Sequence, residues 1–539
     1  MGLVKATDTA PGRLVRAPIH KLGYRFRVHD ARLPGCPDLV FFGRRKAIFG
    51  HGCFWHRHAQ CHFARISKSR LDFWQPKLDR NKARNAVTRR ALTRMGGSTR
   101  VVWECELRDP VRIMSRSLAF LEGWFMSLSS IELFAGAGGL AMGISLAGFR
   151  SHAVVEWDKW ACDTVRENQR LGSPLVRDWP LVEGDVRHWI ENFDSKGLEG
   201  KLDLVAGGPP CQPFSMGGKH QAHRDERDMF PTTVDVIRRL KPRAFVVENV
   251  KGLTRSSFHN YYQYILTQLQ FPQLNRKPDE SWADHDRRLQ QFKTSKCAES
   301  ISLRYNVVPT LVNAANFGVP QRRERVFIVG FRSDVSAQWA FPRESHSLDA
   351  MLHDQWVTGE YWERHRIATR KRPAVPEGFA SLVARLRGLG LPPTRQSWMT
   401  VRDALVGLTD PEINEGDALN HRFQSGAKSY PGHTGSPLDL PAKTLKAGDH
   451  GVPGGENMMV LDDGSRRYFS VRESARLQTF PDGYAFHGSW TEAMRQLGNA
   501  VPVTLGNAVA ASVAEHLLNE DVRNASLRRL PMNGVMSPA

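Results

Sequence analysis

Short apolar runs alternate with polar, Gly- and Pro-marked loops along the whole chain, and they fall into two sets. In the first 125 residues, Leu14 to Leu22 carries apolar residues at helical spacing, and Tyr24-Arg25-Phe26-Arg27-Val28 alternates like an edge strand. Leu39-Val40-Phe41-Phe42, Lys46 to Phe49 and Val101-Val102-Trp103 read as strands, and Arg112 to Trp124 returns to helical spacing as a connector. From Ile131 onward the pattern is steadier. Strands at Ile131–Leu133, Val154-Val155, Leu202–Ala206, Ala244–Val250 and Val326–Val329 are separated by helical stretches. Strands that alternate with helices predict an α/β protein with a mostly parallel sheet.

Length and charge sharpen this picture. A chain of 539 residues exceeds one hydrophobic core, so several domains are expected. Residues 1–125 hold 25 Lys and Arg against 9 Asp and Glu, which is +16 of the formal +20. A basic module of that kind predicts a polyanionic partner, most simply nucleic acid. Seven irregularly spaced cysteines do not form a disulfide framework; they point to metal ligands or a nucleophile. No run of 18 apolar residues occurs and the start lacks a signal-peptide core, so a cytoplasmic protein without a membrane partner is expected.

Candidate chemistry sits at the strand ends. Gly207-Gly208-Pro209-Pro210-Cys211-Gln212-Pro213 follows the Leu202–Ala206 run, and its prolines fix their own φ angles and restrict their neighbours, so a single thiol is presented on a rigid loop. Phe134-Ala135-Gly136-Ala137-Gly138-Gly139-Leu140 is a Gly-rich strand-to-helix turn suited to a nucleotide cofactor. Glu156, before Trp157, could accept from a ribose hydroxyl, and Asp185 could meet an adenine amine; either could equally be an ordinary turn carboxylate. In the N-terminal part, Cys53, His58, Cys61 and Cys105 supply three thiolates and an imidazole, a set that suits structural zinc; buried cysteines beside surface histidines are the alternative. Asp38, His51 and His56 remain as hard-metal and general-base candidates.

Two family resemblances follow from these motifs. Leu33-Pro34-Gly35 with Pro37-Asp38, His51-Gly52-Cys53-Phe54-Trp55-His56, Phe73-Trp74 and Trp103-Glu104-Cys105 resemble the very-short-patch mismatch repair endonucleases over residues 8–108. That resemblance implies magnesium on Asp38, phosphodiester cleavage by His51 and His56, and zinc on the Cys/His set. It also implies an aromatic wedge of Phe54 and Trp55 entering DNA at a thymine–guanine mismatch. From 129 to 518, the Phe-Ala-Gly-x-Gly-Gly turn, Pro-Pro-Cys-Gln at 209–212, Glu248-Asn249-Val250, Gln321-Arg322-Arg323-Glu324-Arg325 and Gly498-Asn499-Ala500-Val501 resemble the cytosine-5 DNA methyltransferases, in the family's order. This second resemblance implies S-adenosylmethionine as cofactor, held by Phe134, Ala135, Gly136, Gly138, Gly139, Leu140, Glu156, Trp157, Asp185, Pro209, Asn499 and Val501. It implies Cys211 as the nucleophile on carbon 6 of a flipped cytosine, Glu248 on ring nitrogen 3 and the amine, and Arg323 and Arg325 on the base carbonyl and flanking backbone.

The expected fold class is therefore α/β: a Rossmann-like methyltransferase domain with a smaller target-recognition domain, preceded by a restriction-endonuclease-like α/β domain. The expected layout is 1–125 endonuclease-like, 126–335 catalytic and cofactor domain, 336–465 target recognition, 466–520 a returning catalytic segment, and 521–539 a tail. The implied enzyme is a monomeric restriction-modification DNA methylase, cytoplasmic on nucleoid DNA, with double-stranded DNA as partner. Gly12 stands where the endonuclease family carries a glutamate, and the sequence begins without that family's basic arm. A non-catalytic DNA-binding module on an active methylase is thus the second expectation. A tRNA-directed relative of the methylase is a third, which the long 336–465 block disfavours. The charged stretch Arg276 to Glu299 has no expected function.

Overall fold

The computed structural model describes residues 15–16, 19–20, 24–58, 61, 64, 71–108, 117, 120–121, 128–210, 228–335, 338–414, 416–428, 434–447 and 457–527. The chain divides into two compact units, residues 1–126 with 515–539, and residues 127–514.

The first unit is built on a three-stranded sheet of β1 (Leu39–Phe41), β2 (Lys46–His51) and β3 (Ser98–Trp103). β1 and β2 pair antiparallel through a turn with Arg45 in the left-handed region, whereas β2 and β3 pair parallel, His51 opposite Trp103. A parallel pair needs a long crossover, and the helix Leu71–Arg94 supplies it. Leu39, Phe41, Ile48 and Val102 bury their side chains with Val15, Ile19, Tyr24 and Leu121. The alternation at Tyr24–Val28 gives only an isolated bridge, Arg27 to Val40, because the chain turns away through a left-handed His29.

The second unit carries a seven-stranded sheet: β4 (Leu128–Leu133), β5 (Phe149–Glu156), β6 (Leu181–Glu183), β7 (Leu204–Gly207), β8 (Ala244–Val250), β9 (Tyr305–Asn313) and β10 (Glu324–Arg332). Its order is β6-β5-β4-β7-β8-β10-β9; the first five strands run parallel and β10 runs antiparallel to both neighbours. Val154, Val155, Val205, Val246, Val247, Ile328 and Val329 are all buried, as expected of strands covered on both faces. Successive crossovers leave β4 toward β5 on one side and reach β7 on the other. The strand order therefore reverses at β4, and a crevice opens outside the strand C-termini there.

Between Trp339 and Tyr468 lie short helices, Leu348–His353, Glu360–Arg364 and Ala380–Leu389, around a small core of Met351, Leu352, Val383 and Leu386. The chain then returns to the main sheet. The helix Val471–Leu477 starts in a capping box of Ser470 and Glu473, and the helices Trp490–Asn499 and Val503–Leu527 follow. Trp490–Asp521 is long and apolar enough to cross a membrane by length and composition, and 67% of its apolar window is buried inside the protein, as in a core helix.

The Gly-rich turn is where this return segment closes the fold. A Cβ on Gly139 would lie 2.2 Å from the Val501 carbonyl oxygen, and one on Gly138, whose φ is 88°, would lie 2.8 Å from the Trp179 ring. Both glycines thus serve backbone approach. Gly139→Ala should cost about 1–3 kcal/mol, since its obstacle is main chain that cannot rotate away. Denaturant unfolding of the methylase unit checks this, with an unchanged midpoint contradicting the contact.

Candidate active sites

A cleft of about 650 Å3 lies at the C-terminal edge of β4, β5, β7 and β8, a size suited to a small-molecule cofactor. One wall is the turn after β4. Phe134 and Gly136 adopt positive φ, 53° and 55°, which folds the turn back over the sheet edge. Glu156, at the end of β5, secures it: one carboxylate oxygen accepts from Gly136 N at 2.7 Å, the other from Trp157 N at 2.9 Å and Asp158 N at 2.7 Å. Burial pushes this carboxyl upward and those amides oppose it. Trp157 stands 70% exposed on the rim. Across the cleft, Asn499 and Val501 close the wall at the end of the helix Trp490–Asn499.

The other end of the cleft is polar. Glu248 on β8 is buried and pairs with Arg325 of β10, guanidinium Nε to carboxylate oxygen at 2.9 Å. Burial raises the Glu248 carboxyl, and the Arg325 and Arg323 cations pull it back. A Cβ on Gly208 would stand 3.1 Å from the second Glu248 oxygen, so glycine leaves room for the carboxyl beside the Pro209-Pro210 backbone. Asn249 donates from Nδ2 to the Pro209 carbonyl at 3.1 Å, fixing the chain just before Cys211. Cys211 itself lies outside the described residues.

Of the expected cofactor residues, Phe134, Ala135, Gly136, Leu140, Glu156, Trp157, Pro209, Asn499 and Val501 line this cleft. Gly138, Gly139 and Asp185 do not. Asp185 follows the short edge strand β6, where it caps the next helix through Arg187 N at 2.7 Å and pairs with the Arg187 guanidinium, which lowers its pKa. Arg323 also departs from expectation. It is fully buried, donating to the Gly498 carbonyl at 2.6 Å and the Leu445 carbonyl at 3.2 Å, so its guanidinium holds the cleft wall rather than the cleft. Among the lining residues given no role from sequence are Asn249 and Glu132. The first was signalled by the Glu-Asn pair at a strand end; the second reads in sequence as an ordinary strand residue.

In the N-terminal unit, the Cys53, His58, Cys61 and Cys105 ligand atoms lie within 4.8 Å of one another. Cys105 N donates to Cys53 Sγ at 3.4 Å, and His58 stacks on Trp103, centroids 4.2 Å apart. At the same C-terminal end of β2, His51 and His56 stack at 3.9 Å and 5°. Burial holds both imidazoles neutral, His51 down to about 3. The Asn85 amide, on the helix Leu71–Arg94, donates to His56 Nδ1 at 2.6 Å, which leaves the neutral ring's proton on Nε2. Asp38 accepts from Gly50 N at 2.8 Å and acts on His56 through its charge. Phe54 and Trp55 pack with Trp74, and Lys77 sits 5.8 Å above the Trp55 ring. Asn85 was the residue missed here, since nothing in the helix pattern distinguishes it from its neighbours. Gly12 lies outside the described residues.

A sheet that reverses at β4 with a cofactor-sized cleft at that point is the ligand-binding arrangement of a doubly wound α/β protein, and here a carboxyl–guanidinium pair beside a Pro-Pro turn gives the cleft a polar end. Residues 128–273 and 283–515 match the family model of C-5 cytosine-specific DNA methylases, and the chain belongs to that family. Its residues 1–62 match the DNA mismatch endonuclease Vsr model. The type II methyltransferase M.PspPI of Psychrobacter sp. is 30% identical over 396 residues, 72% of this chain and 80% of that protein. Two further relatives come from one strain of Xanthomonas oryzae pv. oryzae. The type II nicking enzyme V.XorIIP is 48% identical over 109 residues, covering 20% of this chain and 79% of that protein. The type II methyltransferase M.XorII is 29% identical over 400 residues, covering 72% and 84%. This chain therefore joins a cytosine-5 DNA methyltransferase to a Vsr-like N-terminal domain.

Glu132 gives the cleft a pH signature. Only 2% exposed, it accepts from Ser130 Oγ at 2.6 Å, yet burial pushes its carboxyl up from 4.5 to about 7. Its contribution is fully present below pH 4.5, where folded and unfolded forms are both protonated. Between pH 4.5 and about 7 the unfolded chain has released a proton that the folded one keeps, so stability falls across that window and levels off above it. At about 1.4 kcal/mol per pH unit, the loss is on the order of 3 kcal/mol. Glu132→Gln should flatten that slope in thermal melts between pH 4.5 and about 7.

Proposed function

We propose that the methylase half flips a cytosine out of duplex DNA and attacks its carbon 6 with the Cys211 thiolate, making carbon 5 nucleophilic toward a methyl donor. The observation that carries this reading is the buried Glu248–Arg325 pair at the polar end of the cleft, one residue from the Asn249 amide that holds Pro209. A Glu248 carboxyl raised by burial can hydrogen-bond ring nitrogen 3 and take up the charge that sulfur addition places on the ring. Arg325 orients that carboxyl and offers its remaining N–H groups to the base carbonyl. S-adenosylmethionine, when bound, supplies the methyl group, with Glu156, Trp157 and Asn499 placed to hold it. Base removal of the carbon-5 proton then re-forms the ring double bond and expels the Cys211 sulfur. Residues 336–465 serve as the target-recognition domain in this reading, and the enzyme works as a monomer on chromosomal DNA in the bacterial cytoplasm.

For the N-terminal half we infer nicking at thymine–guanine mismatches, the lesions that deaminated 5-methylcytosine leaves in the methylase's own sites. Cys53, His58, Cys61 and Cys105 have the donor chemistry and spacing to hold structural zinc. The Asp38 carboxylate suits magnesium, which takes one or two carboxylates and completes its shell with water and phosphate. A neutral His51 can accept a proton from water, and His56, with Nε2–H presented, can donate toward a phosphate oxygen. That the XorII nicking and methylating relatives are two chains supports joining these activities in one.

Cys211→Ala should abolish methyl transfer and leave cofactor affinity nearly unchanged. With duplex containing 5-fluorocytosine, the unaltered protein should form a cofactor-dependent adduct that survives denaturation, because fluorine blocks the last proton loss. Its absence would refute the covalent route. In magnesium, the chain should nick a thymine–guanine mismatch; Asp38→Ala should abolish this and Asn85→Ala should slow it about 10–100-fold. A folded chain that binds mismatched duplex without cutting would make the N-terminal half a binding module.

A further inference from the structure

We propose that Arg255 seats a DNA backbone phosphate next to the target base, at the mouth of the cleft's polar end. The proposal rests on the reading that a cytosine is flipped into that end. Its position follows from strand register. β8 and β10 pair antiparallel with Arg325 opposite Val250, so the end of β8 and the start of β10 share one edge of the cleft. Glu248 and Arg325 meet within that edge. The next charged residues outward, Lys251 and Glu324, also meet, Nζ to carboxylate oxygen at 2.8 Å, with both side chains about half exposed.

Beyond Lys251 the chain makes two short 3-10 turns, Lys251–Thr254 and Ser256–Phe258, and Arg255 is the residue between them. Leu253 and Phe258 are buried in the core of the main sheet. Arg255 N donates to the Gly252 carbonyl at 3.2 Å, and the Arg255 carbonyl accepts from Phe258 N at 2.9 Å. The Arg255 backbone is thus fixed from both sides, while the residue itself is half-buried and lines the cleft.

Other cations on the cleft wall are engaged. Arg325 faces Glu248, Arg495 is held by Asp158 and Glu492, and Lys251 is neutralised by Glu324. The Arg255 guanidinium has neither an ion pair nor a side-chain hydrogen bond among the described residues. Five N–H donors drawn partly out of water and left without an acceptor suit a ligand that brings its own negative oxygens. A flipped nucleotide does so, because its phosphates are bonded to the same sugar as the base and must come to rest at the cleft mouth. The cofactor is placed elsewhere. Glu156 and Trp157 stand at the end of β5, three strand spacings from β8, or about 14 Å. With Lys251 paired, this edge offers one uncommitted fork for one phosphate, a geometry that guanidinium and phosphate fill bidentately.

The test uses the full chain with S-adenosylhomocysteine present, and equilibrium binding to a duplex carrying a site that the enzyme methylates in cells. Arg255→Gln should weaken binding about tenfold at about 0.1 M salt. The slope of log affinity against log salt should become shallower by about one, the signature of one lost phosphate contact. Cofactor affinity should stay within about twofold. Lys251→Met combined with Glu324→Gln removes a pair that is neutral as a whole, and should change DNA binding less than about threefold. A neutral methylphosphonate in place of the phosphate on one side of the target cytosine should weaken the unaltered protein as Arg255→Gln does, and cost Arg255→Gln nothing further. Unchanged affinity and slope in folded Arg255→Gln, losses that add at both flanking linkages, or lost cofactor affinity in place of DNA affinity would each overturn the proposal. Should Arg255→Gln not fold, the methylphosphonate duplexes decide with the unaltered protein, and no loss at either linkage overturns it. Failure of the base-flipping reading looks different: the unaltered protein then forms no 5-fluorocytosine adduct, whereas failure at Arg255 leaves that adduct intact.

Discussion

A guanidinium buried in a protein core needs oxygen atoms around it, and that demand at Arg323 organises the methylase half. Arg323 leads into β10, yet its partners are the carbonyls of Leu445 and Gly498, from two segments that follow more than a hundred residues later. These two bonds tie three distant stretches of chain into one arrangement. Two residues on, Arg325 emerges into the cleft already aimed at Glu248. A fully buried structural cation thus sets the position of one that lines the cleft.

The same logic explains the glycines around the cleft. A Cβ on Gly498 would stand 2.4 Å from Ala447 N, and one on Gly143 would stand 2.5 Å from Asn507 N. These contacts bring helix against helix and loop against helix at distances no side chain permits. Pocket shape therefore comes from backbone approach as much as from the residues that line it.

Much of this was legible in the sequence, because strands that end in a polar residue announce both the sheet and its working edge. β4, β5, β7, β8 and β10 lie where apolar runs predicted them, and Glu156, Glu248 and Arg325 stand at the cleft. What sequence could not resolve was direction. Arg323 and Arg325 are the same residue type two positions apart, and only packing decides which faces the core. Asp185 matched the pattern of a cofactor ligand, but it ends the outermost strand and found a nearer partner in Arg187. Glu132 and Asn85 carried no local signal, since their roles depend on neighbours distant in the chain: the crevice between β4 and its flanking strands for one, His56 for the other.

The hydroxyl of Tyr484 donates to the carbonyl of Ala137 at 2.9 Å across 347 residues, sealing the Gly-rich turn from behind. Contacts of that separation form late, since the chain between them must first be made and gathered in. During translation, the N-terminal unit's core sheet leaves the ribosome first and contains its own strand pairings. The cofactor turn, though synthesised before the midpoint, waits for nearly the last helix. A nascent or truncated chain would therefore hold the strand pairings of the Vsr-like half long before its cofactor turn is sealed, and that sealing comes only with a nearly finished polypeptide.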